Sequence, residues 1–276
     1  MRCDYHIHTS YSDDSSHEME DVIIDALELG LEEICFTDHV DYGVKIDHDA
    51  NVKDNHENPV MNVDYPAYFR EIAILKEKYR DMITIKKGLE FGIQTHTIND
   101  FEKLYQSYEM DFVILSIHQV GDKEFWDYAF QKDKSLEEYT FAYYQELLEV
   151  VSSFKNYSVL GHLDMIVRYS EGKVPFASIE GIIKKILEVV IEDGKGIEIN
   201  TSSKRYGLDD LTPSRDILRL YRELGGKIIT IGSDSHNKSH LGFAIDQTRA
   251  ELARLGFESY CTYESMKPIF HKLKKD

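Results

Sequence analysis

Seven short apolar segments recur along the chain, separated by amphipathic stretches. The segments are rich in β-branched and aromatic residues, which favour strands. They are CDYHIH near residue 3, EEICFT near 32, ITIKKGLEF near 83, DFVILSIH near 111, YSVLGHL near 157, GIEIN near 196 and KIITIGS near 227. Strands that alternate with helices imply a parallel sheet with right-handed crossovers. Seven such units in 276 residues predict a distorted, TIM-like (β/α)7 barrel, an α/β fold, rather than an open sheet.

Five amphipathic stretches are predicted as helices of this barrel. They are Glu18–Leu29, Asp64–Tyr79, Leu136–Phe154, Ser178–Ile191 and Ser214–Leu224. Pro213 suits the first position of the last helix with Thr212 as its cap, and Gly225 follows its end. The polar stretch 41–64 interrupts the alternation, and its length predicts a functional loop or lid.

No repeat, linker or low-complexity segment divides the sequence, so we expect one domain over residues 1–276. The net charge is −18 and no basic block precedes the final KLKKD, which argues against nucleic-acid binding through clustered positive charge. The N-terminus lacks the features of a secretory signal, and no segment reaches the roughly 18–20 apolar residues of a membrane helix. We therefore expect a cytoplasmic protein that binds neither nucleic acid nor membrane; self-association stays open.

Histidines and carboxylates stand at the ends of six of the seven predicted strands. The carboxyl ends of barrel strands converge on one face, so these side chains are expected to meet there. The set is His6, His8, His39, Glu90, His118, His162, Asp234 and His236. A lone histidine after a strand more often has an ordinary polar role. That role is assigned to the remaining histidines, which are His17, His48, His56, His96, His240 and His271.

The size of this set indicates how many metal ions it can hold. A catalytic zinc uses about three protein ligands and a two-metal site about five to seven, so eight residues can hold two or three divalent cations. Mixed nitrogen and oxygen ligands without cysteine suit Zn, Fe or Mn rather than Ca or Mg. The three cysteines, Cys3, Cys35 and Cys261, form no CxxC pair and are expected to be reduced thiols without a chemical role.

Six motifs, HIHTSYSDDS, FTDH, GLEFG, SIH, GHLD and GSDSH, follow one another from residue 4 to residue 236. This series resembles the polymerase-and-histidinol-phosphatase (PHP) superfamily. Within it, GHLDMIVRY and GIEINTSSKRYG resemble the histidinol-phosphatase branch, which serves histidine biosynthesis. The resemblance implies a distorted (β/α)7 barrel with three metals that hydrolyses a small phosphorylated substrate, with L-histidinol phosphate as the first expectation.

The resemblance also implies how the ligands divide among three metals. The first metal would be held by His6, His8, Glu90 and Asp234. The second would be held by Glu90, as a bridge, with His118 and His162. The third would be held by His39 and His236 with a further ligand from the loop TSYSDDS, where Asp13 is expected and Asp14 is the alternative.

The expected reaction is attack on phosphorus by a metal-activated hydroxide, for which bridging Glu90 would hold the metals together. Asp234 is a candidate proton donor to the leaving alkoxide, although a metal ligand is a poor acid. Arg168 and Arg205 follow the fifth and sixth predicted strands. Arginine suits bidentate phosphate contacts, and the branch resemblance favours this role over surface salt bridges.

Three alternatives stay open. The chain could be another PHP phosphoesterase, acting on a phosphotyrosyl protein, a nucleotide or a different small phosphomonoester. It could instead be a metal-bound regulatory module without activity. An amide-hydrolysing metal barrel is the third, but such barrels often use a carbamylated lysine as the bridge, whereas this chain has Glu90 there.

Overall fold

Seven parallel strands form a nearly closed barrel in the computed structural model, which describes residues 1–48 and 59–273. They are β1 (Cys3–Ile7), β2 (Glu33–Phe36), β3 (Thr84–Gly92), β4 (Phe112–Ser116), β5 (Val159–Leu160), β6 (Gly196–Asn200) and β7 (Ile229–Gly232). Each strand pairs with the next in chain order. The first and last strands also meet, because the amide of His8 donates to the carbonyl of Ser235 at 2.8 Å and the amide of Ser235 to that of His6 at 3.1 Å.

Helices follow the barrel strands and cover their outer face. They are α1 (Met19–Glu28), α2 (Tyr65–Lys78), α3 (Ile98–Ser107), α4 (Leu136–Ser153), α5 (Phe176–Glu192), α6 (Arg215–Glu223) and α7 (Ile245–Arg254). The predicted (β/α)7 barrel is confirmed, and α3 and α7 are additional to the predicted helices. An antiparallel hairpin of Ser259–Glu264 and Lys267–Lys272 follows α7.

The start of one helix differs from the prediction. Helix α6 has Ser214 at its N-cap, so Pro213 and Thr212 precede the helix, and the predicted Thr212 cap is wrong. The carbonyl of Thr212 instead accepts the amide of Asn200 at 2.8 Å. The middle of the predicted loop or lid, with His56, and the last three residues of the basic tail lie outside the described residues.

The barrel strands are buried along almost their whole length. Every residue of β1, β2, β4, β6 and β7 is buried, as expected for a parallel sheet between a filled interior and a layer of helices. Charged side chains in such strands need partners, because isolated buried charges are very unfavourable. Four such side chains in the described strands are fully buried, namely Asp4, His6, Glu90 and Glu198. The last three lie beside one another, which marks this part of the barrel interior as a functional site. Of the helices described, none is long and apolar enough to cross a membrane.

Candidate metal centre

The eight predicted ligand residues lie together at the carboxyl ends of the barrel strands. His6 lies in β1 and His8 just beyond it, and Glu90 lies near the end of the long strand β3. His39 belongs to a two-residue strand that pairs with β3, directly opposite Glu90. The other four, His118, His162, Asp234 and His236, lie within four residues of the ends of β4, β5 and β7. The strand register thus brings together residues from nearly the whole chain.

Glu90 stands at the centre of this cluster with its two oxygens facing different histidines. Its Oε2 faces three ring nitrogens, at 3.1 Å from Nε2 of His6, 3.5 Å from Nε2 of His8 and 3.0 Å from Nδ1 of His39. Its Oε1 faces two others, at 3.2 Å from Nε2 of His118 and 2.9 Å from Nε2 of His162. A carboxylate placed in this way can bridge two cations.

Several of these atoms are buried without a hydrogen-bond partner in the described part of the chain. They are Nε2 of His6, Nε2 of His8, Nδ1 of His39 and Oε2 of Glu90. Buried polar groups without partners are rare because they lose their hydration without compensation. Ligand atoms of three groups also lie within 4.8 Å of one another, namely His6–His8–Glu90, His8–His39–His236 and His39–Glu90–His118. The donor set therefore fits divalent cations.

The carboxylates of the cluster are in their charged form. Burial alone would raise the pKa of Glu90, but the neighbouring histidines, His6 first, hold this pKa well below its usual value. Burial likewise opposes ionisation of Asp234, whereas His6, His8 and Arg168 lower its pKa well below the usual value. Metal ligation needs deprotonated carboxylates, so both suit this role. The same ionisation counts against the prediction that Asp234 donates a proton to the leaving group.

Asp14, not Asp13, lies beside the outer pair of histidines. Its Oδ2 is 3.5 Å from Nε2 of His39 and 3.0 Å from Nε2 of His236. Asp13 instead pairs with the ammonium group of Lys45 at 2.5 Å. The geometry favours the alternative, Asp14, because Lys45, from the loop after β2, pairs with the carboxylate of Asp13. Which of the two binds a metal stays a prediction.

A layer of residues that the sequence analysis did not single out holds the histidines from behind. Fully buried Glu198 lies 2.6 Å through Oε1 from Nδ1 of His6 and accepts the amide of His162 through Oε2 at 3.0 Å. Asp41 lies 2.7 Å through Oδ1 from Nδ1 of His118. Such partners fix which ring nitrogen turns towards a metal. The sixth strand, GIEIN, thus contributes Glu198 instead of a direct ligand.

Two glycines at strand ends make these contacts possible. A Cβ atom at Gly92 would lie 1.9 Å from Oδ1 of Asp41, and one at Gly232 would lie 2.3 Å both from Oε1 of Glu198 and from Cβ of His6. No real Cβ atom tolerates such distances. The glycines in GLEFG and TIGS were therefore the sequence signal that could have located this second layer.

Both predicted arginines contact Asp234, but in different ways. Arg168 donates through Nη1 to Oδ2 of Asp234 at 3.1 Å and through Nη2 to Oγ of Ser202 at 2.8 Å. Arg205 donates to the backbone carbonyl of Asp234 at 2.8 Å. Asp234 has φ of +57°, a left-handed conformation that is unfavourable for a non-glycine residue unless its surroundings hold it. Arg205 therefore helps to hold the backbone of this ligand.

A cavity of about 300 Å³ opens onto the cluster. Its lining includes five of the predicted ligand residues, His39, His118, His162, Asp234 and His236. Among the described residues, Arg168 contributes to the lining and Arg205 does not, so the two arginines are not equivalent towards a molecule in the cavity. Phosphate contact by Arg205 stays a prediction.

Comparison with known proteins agrees with this geometry. The model of the PHP domain matches residues 4–202, which is more than half of the chain. The chain belongs to the PHP family. A histidinol-phosphatase of Lactococcus lactis is 35% identical over 273 residues, covering 96% of each chain. A probable histidinol-phosphatase of Thermotoga maritima is 29% identical over 276 residues, covering 98% of this chain and 99% of the relative.

Solved structures agree as well. The crystal structure of histidinol phosphate phosphatase from Lactococcus lactis, complexed with zinc, L-histidinol and phosphate, matches with a TM-score of 0.84 and 33% identity, covering 97% of this chain and 98% of that one. A putative histidinol phosphatase from Listeria monocytogenes has the same fold, with a TM-score of 0.74 at 21% identity. The matched family region ends at residue 202, so Asp234 and His236 lie beyond it in sequence while their side chains join the PHP cluster in space.

Proposed function

We propose that this PHP protein hydrolyses L-histidinol phosphate to L-histidinol and phosphate, a step of histidine biosynthesis, with two or three divalent cations as cofactors. The observation that carries the proposal is Glu90, whose two oxygens face two separate sets of histidine nitrogens. The similarity to the Lactococcus lactis histidinol-phosphatase over 96% of both chains supports the substrate. Zinc, iron or manganese suits the mixed nitrogen and oxygen donors.

The ligands divide into three groups in this proposal. The first group is His6, His8, Oε2 of Glu90 and Asp234. The second is Oε1 of Glu90 with His118 and His162. The third is Asp14, His39 and His236, with Asp14 in place of Asp13. Distances of 3.0–3.5 Å between Asp14 and the two histidines support the last group.

The bound cations would lower the pKa of a water molecule to about 7 and offset the charge of the phosphoryl oxygens. The chain's own residues hold this arrangement in place. Glu198 and Asp41 orient His6 and His118 from behind. Arg168 is buried in the cavity wall and adds a permanent positive charge for the phosphate group.

The test is phosphate release from L-histidinol phosphate by protein loaded with zinc or manganese. We expect turnover that disappears after metal removal, and we expect Glu90→Gln to lose metal and activity together. The panel also contains a phosphotyrosyl peptide and a nucleoside monophosphate. Turnover of either of these without L-histidinol phosphate would make the chain a different PHP phosphoesterase. Full metal loading without turnover of any ester would make it a regulatory module.

A cytoplasmic location, a single domain over residues 1–276 and any self-association stay predictions from the sequence.

A further inference from the structure

Part of the cavity wall comes from residues that the proposed metal groups do not use. Asp13 follows β1, Lys45 lies in the loop after β2, and Trp126, the only tryptophan of the sequence, follows β4. The side chain of Asp13 is 40% exposed and Trp126 is 46% exposed, although both line a cavity. Exposed groups of this kind are available to a molecule that enters.

The charges in this part of the wall do not cancel. Lys45 is almost buried and lies 2.5 Å from Asp13 and 2.9 Å from Asp41, so one ammonium group serves two carboxylates. This part of the wall is therefore negative, and it favours a cationic group over a neutral one.

The rest of the same cavity is suited to the opposite charge. The side chain of Arg168 is only 3% exposed, and its Nε has no hydrogen-bond partner among the described residues. A molecule that is anionic at one end and cationic at the other would match both parts of the wall. A phosphate ester of an amino alcohol has this character.

Trp126 adds a flat apolar surface to the wall of the same cavity. Aromatic rings stack on indole, and a cationic ring gains further from the negative face of the π-system. The alcohol part of L-histidinol phosphate carries both an ammonium group and an imidazole ring.

We propose that Asp13 and Trp126 select the alcohol part of the substrate, with Asp13 accepting a hydrogen bond from its ammonium group and Trp126 stacking on its ring. This inference rests on the proposed function. It gives Asp13 a place in specificity instead of metal binding. It also assigns Lys45 the task of holding Asp13 in the cavity wall.

Inhibition by the two products, L-histidinol and inorganic phosphate, tests the binding of each end of the substrate separately. For Asp13→Asn we expect the KM for L-histidinol phosphate and the inhibition constant of L-histidinol to rise about tenfold or more, as for the loss of a charge-assisted hydrogen bond. The inhibition constant of inorganic phosphate and the metal content should not change. Trp126→Ala should also raise the inhibition constant of L-histidinol and leave that of inorganic phosphate unchanged. In the wild type, L-histidinol should change the fluorescence of Trp126.

The control is Asp127→Asn, which removes an exposed carboxylate beside Trp126 that does not line the cavity. Its KM for L-histidinol phosphate and its inhibition constants for L-histidinol and inorganic phosphate should equal those of the wild type. Equal changes for L-histidinol and phosphate in Asp13→Asn, or no change for either, would overturn the inference. A wild type that does not hydrolyse L-histidinol phosphate at all would instead overturn the proposed function, so the two failures are distinguishable.

Discussion

Replacement of Glu198 by glutamine tests whether the second layer sets metal affinity. Glu198 is fully buried and contacts two ligand residues, lying 2.6 Å from Nδ1 of His6 and 3.0 Å from the amide of His162. Glutamine has the same shape but only one acceptor oxygen. In either orientation, the NH2 group of the glutamine side chain must therefore face another N–H donor, either the imidazole N–H of His6 or the backbone N–H of His162.

The magnitude follows from these contacts. A hydrogen bond to a charged group contributes about 1.5–3 kcal/mol, and losing a carboxylate behind a ligating histidine typically lowers metal affinity about 10–100-fold. A hundredfold change corresponds to about 2.8 kcal/mol. Because Glu198 contacts two ligand residues, we expect Glu198→Gln to lie near the hundredfold end.

The assay is metal retained per chain, measured by elemental analysis during titration with a competing chelator at pH 7.5. Excess metal should restore most of the activity of Glu198→Gln. The matched control is Glu33→Gln, which also removes a buried carboxylate from a barrel strand, one that accepts a hydrogen bond from Tyr5 away from the cluster. Equal chelator curves for wild type and Glu198→Gln, or equal losses in both variants, would refute the reasoning.

Three further predictions concern single residues. Asp14→Asn should lower the metal content by about one ion per chain, whereas Asp13→Asn should retain all metal; elemental analysis that gives the reverse order would restore Asp13 as the ligand. Arg168→Lys should raise the KM for L-histidinol phosphate about tenfold, because lysine keeps the charge but loses the forked contact with Asp234 and Ser202; an unchanged KM would exclude contact with the substrate. Burial raises the pKa of Glu33, so this carboxyl binds its proton more tightly in the folded chain, and its contribution to stability falls as pH rises from its unfolded value near 4.5 through the folded pKa. Urea denaturation should therefore show wild type losing stability relative to Glu33→Gln as the pH rises above about 4.5, and a constant difference would contradict the shift.

The strong elements of the barrel could be predicted from the sequence because buried parallel strands are continuous apolar runs. Helices α3 and α7 could not, since each turns few apolar residues towards the barrel. In α3 only Phe101 and Leu104 are buried, and in α7 only Ile245 and Leu252 are buried apolar side chains. Two fully buried apolar residues in a ten-residue helix give a weaker helical pattern than the buried faces of the longer helices.

The ligands at strand ends were predictable because the strand register fixes where they lie. The positions of Asp13 and Asp14 relative to the histidines were not, since they depend on Lys45, which is distant in sequence and adjacent in space. Glu198 was not predicted for a related reason. It acts through contacts with His6 and His162, and no pattern of neighbouring residues in the sequence indicates these contacts. Sequence position thus predicts ligands better than the residues that orient them.

Closure of the barrel between β1 and β7 imposes an order in time on metal loading. During synthesis, Glu90, His118 and His162 leave the ribosome long before Asp234 and His236. The second group of ligands can therefore assemble on a partial chain, whereas the first and third groups need the last strand and a loop closure that spans almost the entire polypeptide. Contacts between such distant segments form slowly. In the proposed arrangement the centre would therefore be completed only at the end of folding, and a full complement of metal would also report that the first and last strands have met.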